Sequence, residues 1–98
     1  MTVDDKLAKI GFSKVYEDIR HVHYERYDEK YKYYHTVVIE RRSVWNEFRL
    51  QSYDENLIDK KGVGNTNVAL STSELKLFLK KMKQKEREYA KCQRQLNR

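Results

Sequence analysis

Apolar and polar positions along this chain follow two different periods, and the change of period divides it into elements. Val3, Leu7 and Ile10 stand at helical spacing and predict a short helix over residues 2–10. Thr2 stands at its N-cap, and Asp4 and Asp5 lie in the first turn, where the helix dipole favours anions. Gly11 suits the left-handed residue past the last turn, and Phe12 can fold back onto the apolar face. From there the pattern is extended. Phe12 to Tyr16, Val22 to Tyr27, Tyr31 to Arg41 and Val44 to Tyr53 predict four antiparallel strands. The third is the most strongly marked, with Thr36-Val37-Val38-Ile39 at its centre. Asp28-Glu29-Lys30 predicts a hairpin turn and Arg41-Arg42-Ser43 a second.

Residues 54–67 predict a loop, with turn residues at Asp54-Glu55-Asn56 and around Gly62 and Gly64. The lysines of this loop precede its glycines, which is not the order of a phosphate-binding loop. Residues 71–95 then predict a long helix. Ser71-Thr72-Ser73-Glu74 reads as a capping box, with Leu70 and Leu75 at the positions of a hydrophobic staple. Leu75, Phe78, Leu79 and Met82 form the apolar stripe expected to pack on the sheet. Past Met82 the stripe thins, so residues 83–98 are expected to protrude or fray. Leu75, Met82, Tyr89 and Leu96 are spaced by seven, a faint heptad echo that leaves a homodimer open. The expected fold is α+β in one domain over residues 1–98. It has a short N-terminal helix, an antiparallel sheet of three to four strands, and a long basic C-terminal helix packed on one sheet face.

Composition sharpens this picture. Hydrophobic residues make up 39% and charged residues 37% of the 98, so the core is thin, but eight Tyr, three Phe and one Trp supply large buried areas. Cys92 is the sole cysteine, which excludes an internal disulfide. No apolar run reaches the length of a signal peptide core or a membrane span, so a cytoplasmic protein is the expectation. The formal net charge of +6 is unevenly placed. Residues 76–98 hold six Lys and three Arg against Glu86 and Glu88, whereas residues 1–75 hold 12 basic and 13 acidic residues. A basic helix on a near-neutral body points to nucleic acid or an acidic protein surface as partner. The candidate phosphate-contacting residues are Lys76, Lys80, Lys81, Lys83, Lys85, Arg87, Lys91 and Arg94, which fall on more than one side of the helix.

Candidate chemistry elsewhere is sparse. If Asp28-Glu29-Lys30 is a three-residue loop, Tyr27 pairs with Tyr31 and His23 lies opposite His35. His21, His23 and His35 would then share a sheet face, with Glu25 beside them but no clear fourth ligand. A loop differing by one residue can separate them, and no metal or cofactor is assigned. Tyrosines 24, 27, 31, 33 and 34 interleave with Arg20, Arg26, Lys30 and Lys32, the composition of a single-strand stacking platform or simply of a tyrosine-rich sheet. No nucleophile stands beside a base in sequence, and catalytic residues are not assigned.

Leu7-Ala8-Lys9-Ile10-Gly11-Phe12, then a Tyr-rich sheet, Leu50-Gln51-Ser52-Tyr53-Asp54, a glycine–asparagine loop, and Leu70-Ser71-Thr72-Ser73-Glu74 opening a Lys-rich helix: this succession resembles small accessory proteins of phages and mobile elements of Gram-positive bacteria. The resemblance implies no defined function and no site residues. It implies a binding protein acting on host, phage or defence machinery. The sequence reading is therefore a non-enzymatic module that engages nucleic acid through its basic helix. The alternatives are a protein–protein effector anchored by Tyr34 and Trp45 and a structural homo-oligomer. The capping box generates the first test: Ser71→Ala should lower stability by about 0.5–2 kcal/mol in chemical denaturation. An unchanged midpoint would mean that the helix starts elsewhere.

Overall fold

The computed structural model describes residues 1–54 and 66–96. Helix α1 (Val3–Lys9) leads into strands β1 (Ser13–Glu17), β2 (His21–Asp28), β3 (Tyr33–Glu40), β4 (Arg49–Asp54) and β5 (Thr66–Asn67), followed by helix α2 (Thr72–Leu96). The sheet is antiparallel throughout, and its spatial order is the chain order. The fold is α+β as expected, with a two-residue fifth strand that the pattern did not signal. Most of the predicted loop over 54–67, including Gly62 and Gly64, lies outside the described residues.

Both helices begin as their sequences dictate. Thr2 Oγ1 accepts from the Asp5 amide while the Asp5 carboxylate accepts from the Thr2 amide. Ser71 Oγ and the Glu74 carboxylate form the same reciprocal pair at the start of α2. Helix α1 ends in a Schellman motif: the Phe12 amide reaches the Leu7 carbonyl and the Gly11 amide that of Ala8. Gly11 has φ +97°, where a side chain would be strained, and a Cβ there would stand 3.1 Å from Arg26 Cδ, so Arg26 would have to shift as well.

Two local features correct the expected pairing. The β2–β3 loop holds four residues, because Asp28 pairs with Tyr33. Asp28 Oδ1 accepts from the Tyr31 amide at 3.0 Å, and Lys32 takes a left-handed conformation at φ 56° to close the turn. His23 therefore lies opposite Val38, and His35 opposite Arg26. His21 and His23 share one sheet face and His35 the other, so the three-histidine site does not form. Among the described residues no group of three His, Cys, Asp or Glu side chains is placed to hold a metal. The second correction is that β4 starts at Arg49, not Val44. Val44 is exposed, and the Phe48 amide donates to the Glu86 carboxylate on α2 at 2.7 Å rather than to a strand.

A bulge at Val15 shifts the β1–β2 register between Lys14 and Tyr16. Lys14 pairs with Tyr24 and Glu17 with Val22, so both point to the face that α2 covers. In an unbulged strand, residues three apart would point to opposite faces. That covered face holds the core: Phe12, Val22, Tyr24, Val37, Ile39, Phe48 and Phe78, with Val3 and Leu7 from α1. The Phe78 ring meets Phe12 and Tyr24 edge-on at 5.1 and 5.5 Å.

Helix α2 is rotated from the orientation its leucines suggested. Phe78 is fully buried and Met82 partly so, but Leu75 and Leu79 are about half exposed, at 50% and 46%. The positions turned inward beside Phe78 are Lys81 and Lys85, exposed by only 5% and 1%. Lys81 Nζ lies 3.4 Å from Asp4 and 3.3 Å from Glu17. Lys85 Nζ pairs with Glu17 at 3.1 Å and donates to the Asp18 carbonyl. Lys14 pairs with Asp4 and Glu17 from the other side, and the buried Tyr24 hydroxyl donates to Asp4. One ionic cluster thus joins α1, β1, β2 and α2.

Further along, the Tyr89 ring packs edge-on against Phe48, with the Arg41 and Arg20 guanidiniums 4.4 and 5.5 Å from its centre. The helix is thus tied to the sheet well past residue 83.

The cluster sets an acid sensitivity. Burial by itself raises the Asp4 carboxyl, but the hydrogen bonds from Tyr24 and Lys14 and the Lys81 charge outweigh it and hold the group below its ordinary 3.8. Glu17 behaves likewise: burial raises it, and Lys14, Lys85 and Lys81 bring it below 4.5. Depressed folded values mean that this stabilisation is full above those ordinary values and is lost as pH falls through the folded ones. Denaturation midpoints should therefore be flat near neutrality and drop in the acid limb. Glu17→Gln should cost about 3 kcal/mol at neutral pH, the low end for a broken buried pair, because it leaves two buried ammonium groups under-compensated. It should also flatten the acid limb. A variant as stable as wild type would remove the cluster from its structural role.

Candidate nucleic-acid interface

The rotation that buries Lys81 and Lys85 decides what α2 shows to solvent. With Phe78, Lys81, Lys85 and Tyr89 turned to the body, the opposite face carries Lys76, Lys80, Lys83, Arg87, Lys91 and Arg94. All six are exposed. They succeed one another at intervals of three or four residues. At 3.6 residues per turn they fall within an arc of about 80°, along about 27 Å of helix. Among the described residues, none of the six takes part in an ion pair.

Two of the three carboxylates of α2 are turned to the body, and Glu88 stays exposed at the flank of this stripe. Glu74 pairs with Arg26 at 2.7 Å, Glu86 turns to the Phe48 amide and Arg41, and Glu88 pairs with Lys85 at 3.6 Å. The stripe also accounts for the whole net charge. Of 21 basic residues against 15 acidic, six lie on it, and the remaining 15 balance the acids. The eight candidates scattered around the helix thus resolve into two groups. Six form one ordered surface, and Lys81 and Lys85 are withdrawn from solvent as internal counter-ions that no phosphate can reach without breaking the core. Sequence reasoning missed them because it centred the buried face on Leu75 and Leu79. Centring it on Phe78, Tyr89 and Cys92 places both lysines between large inward residues. That spacing was the available signal.

The other sheet face is left open by both helices. Strand register places Tyr16, His21, His23, Glu25, Tyr27, Tyr34, Val38, Glu40, Arg49 and Gln51 there. Tyr27 and Tyr34, each 44% exposed, pack with ring centres 4.9 Å apart. Trp45 is half-buried beneath the guanidiniums of Arg49 and Arg42, at 4.4 and 5.1 Å. Tyr34 and Trp45 thus belong to this open side. On this side Glu40 pairs with Arg42 at 3.3 Å and approaches His21. The tyrosine-rich surface and the basic stripe face opposite ways.

One further pair has the outline of a catalytic dyad. Buried His35 Nε2 lies 2.6 Å from Ser52 Oγ. The imidazole is held neutral by burial and by the charge of Arg26, which lower its pKa. Arg26 Nη2 stands 3.5 Å from Nδ1 and can only donate. A donating Arg26 matches the tautomer that accepts at Nδ1 and donates from Nε2 to Ser52. His35 fills the core beside Phe12, with which it makes an edge contact at 5.3 Å. Cys92 is free and half-buried on α2.

Searches against protein-family models, curated proteins and solved structures found no match to this chain.

The two groups of lysines should respond oppositely to the same substitution. Lys83→Glu on the stripe should leave stability within about 0.5 kcal/mol of wild type. Lys85→Glu sets a carboxylate against Glu17 and the Asp18 carbonyl and should destabilise by several kcal/mol or prevent folding. Thermal and urea melts of the pair check this. Equal melting would mean that the helix is not rotated as described.

Proposed function

We propose that this chain is a non-enzymatic binding module that engages a polyanion, nucleic acid first of all, through the outer face of α2. The observation that carries this reading is the segregation of charge. Six basic residues, equal in number to the formal net charge of +6, line one exposed helix face, while Glu74 and Glu86 of that helix turn to the body and the exposed Glu88 pairs with buried Lys85. Random solvation needs no such sorting; surfaces ordinarily intersperse the two signs. A single-sign stripe attracts an anionic partner from a distance and positions it. Lys and Arg separated by three or four helical residues present their charges at intervals of about 5–6 Å, suited to successive phosphates.

A second reading is favoured by the open sheet face. Tyr27, Tyr34 and Trp45 offer rigid aromatic area, with Arg42 and Arg49 over the Trp45 ring, a composition that suits a protein-binding surface. The resemblance to phage and mobile-element accessory proteins fits an effector of this kind. The two readings use opposite sides of the molecule and do not compete for residues.

Titration of labelled nucleic acid near physiological salt tests the first reading. Affinity should fall steeply as salt rises, with a log–log slope of several units, at up to about 0.9 per phosphate contacted. Lys80→Glu, Lys83→Glu and Arg87→Glu together should weaken binding to all sequences alike, since phosphate contacts carry little base information. No binding in the micromolar range, or equal binding by the triple variant, would leave the stripe a solvated face and give precedence to Tyr34 and Trp45.

A further inference from the structure

We infer that the stripe on α2 selects duplex nucleic acid over single strands; this rests on the nucleic-acid reading above and names its substrate. Three features of the surface lead there. The first is its rigidity. The six cations stand on one continuous helix fixed to the body from Glu74, through Phe78, Lys81 and Lys85, to Tyr89. A duplex is itself stiff, with a persistence length of about 50 nm, and meets such a line with little to order. A single strand must be straightened along about 27 Å of helix and loses conformational freedom in doing so.

The second feature is charge density. Over about 27 Å a duplex presents roughly 16 phosphate charges, at one per 1.7 Å of axis, against roughly 8 on one strand. The six cations therefore meet about twice the phosphate charge per length of a duplex that they meet on a single strand.

The third is the absence of stacking partners. Proteins that hold single strands combine cations with aromatic side chains on which bases stack. No aromatic residue lies on the stripe. Tyr89, the one aromatic on its half of α2, points inward to Phe48. The exposed tyrosines lie across the sheet on the opposite side, beyond the reach of a strand bound to α2. A single strand on the stripe therefore gains phosphate contacts alone, and these are weaker per phosphate than on a duplex.

The size of the effect follows from counterion release. The slope per contact is about 0.9 for duplex and 0.7 for single strands, which for five contacts at about 0.15 M salt gives roughly sevenfold. Ordering the single strand adds to this, so we expect a preference of about tenfold. The experiment is a fluorescence-anisotropy titration of the full chain with a DNA duplex of about 16 base pairs, twice the span of the stripe at 3.4 Å per pair. The same titration is run with each of its separated strands, chosen not to self-pair. Tighter duplex binding with a steeper salt slope, reduced for both ligands by Lys80→Gln, Lys83→Gln and Arg87→Gln, is the expected result. These neutral replacements lie off the core and keep the fold, which circular dichroism verifies. Single strands that bind as tightly as duplex, or more tightly, overturn the duplex inference and leave the nucleic-acid reading standing. If neither ligand binds, both fall. A duplex preference unchanged in the triple Gln variant would place its source outside the stripe and also overturn the inference.

Discussion

The structure depends on two lysines being inside it. Lys81 and Lys85 lie where an amphipathic helix ordinarily places leucine, and they are held there by Asp4, Glu17 and a backbone carbonyl. Burying an ammonium group is costly unless its partners are close and its protons are satisfied. Lysines and partners together span three elements, so the cost is met only when α1, β1 and α2 are all in place. The bulge at Val15 is part of the same requirement, because it turns Glu17 toward the helix alongside Lys14. This cluster fixes the rotation of α2 about its own axis, and the rotation determines which residues face solvent. The outer stripe is in that sense a product of the inner ions.

Arg26 does comparable work at the other end of the core. Its guanidinium bonds the Ile10 carbonyl at the end of α1, pairs with Glu74 in the first turn of α2, and lies 4.1 Å from the centre of the Phe12 ring. Glu74 is thus both the capping-box residue and the acceptor for Arg26, which couples the start of α2 to β2. The helix is held near its start by Arg26, along its middle by the lysine cluster and farther on by Tyr89. A surface supported at three places along its length presents its charges in a fixed line.

Much of this was legible in the sequence, for reasons that differ by element. Capping chemistry is local, so Thr2, Gly11 and Ser71-Thr72-Ser73-Glu74 located both helices within a residue or two. Strand β3 was legible because its apolar run is long. The β2–β3 register was not, because the turn closes through a left-handed Lys32, a residue type that gives no warning of that conformation. One extra loop residue then moved His35 into the core. The face of α2 was misread because leucine was taken to mark the inside and lysine the outside. Burial of Lys81 and Lys85 depends on Asp4 and Glu17, more than sixty residues away in sequence. The spacing of Phe78, Tyr89 and Cys92 marks the inward face, but which carboxylates receive the two lysines cannot be read from helical periodicity.

The stripe also bears on how the protein behaves in bulk. Colloidal stability of a small domain relies on a net charge well away from zero. Here that charge resides on the six stripe residues alone, because the other 15 basic and 15 acidic residues cancel. Masking the stripe leaves a particle with no formal charge to keep copies apart, and its uncovered side is the tyrosine-rich sheet face. Such particles lined along one anionic scaffold would lose their mutual repulsion and crowd together. For a chain that binds in this way, solubility and occupancy would be set by the same six side chains.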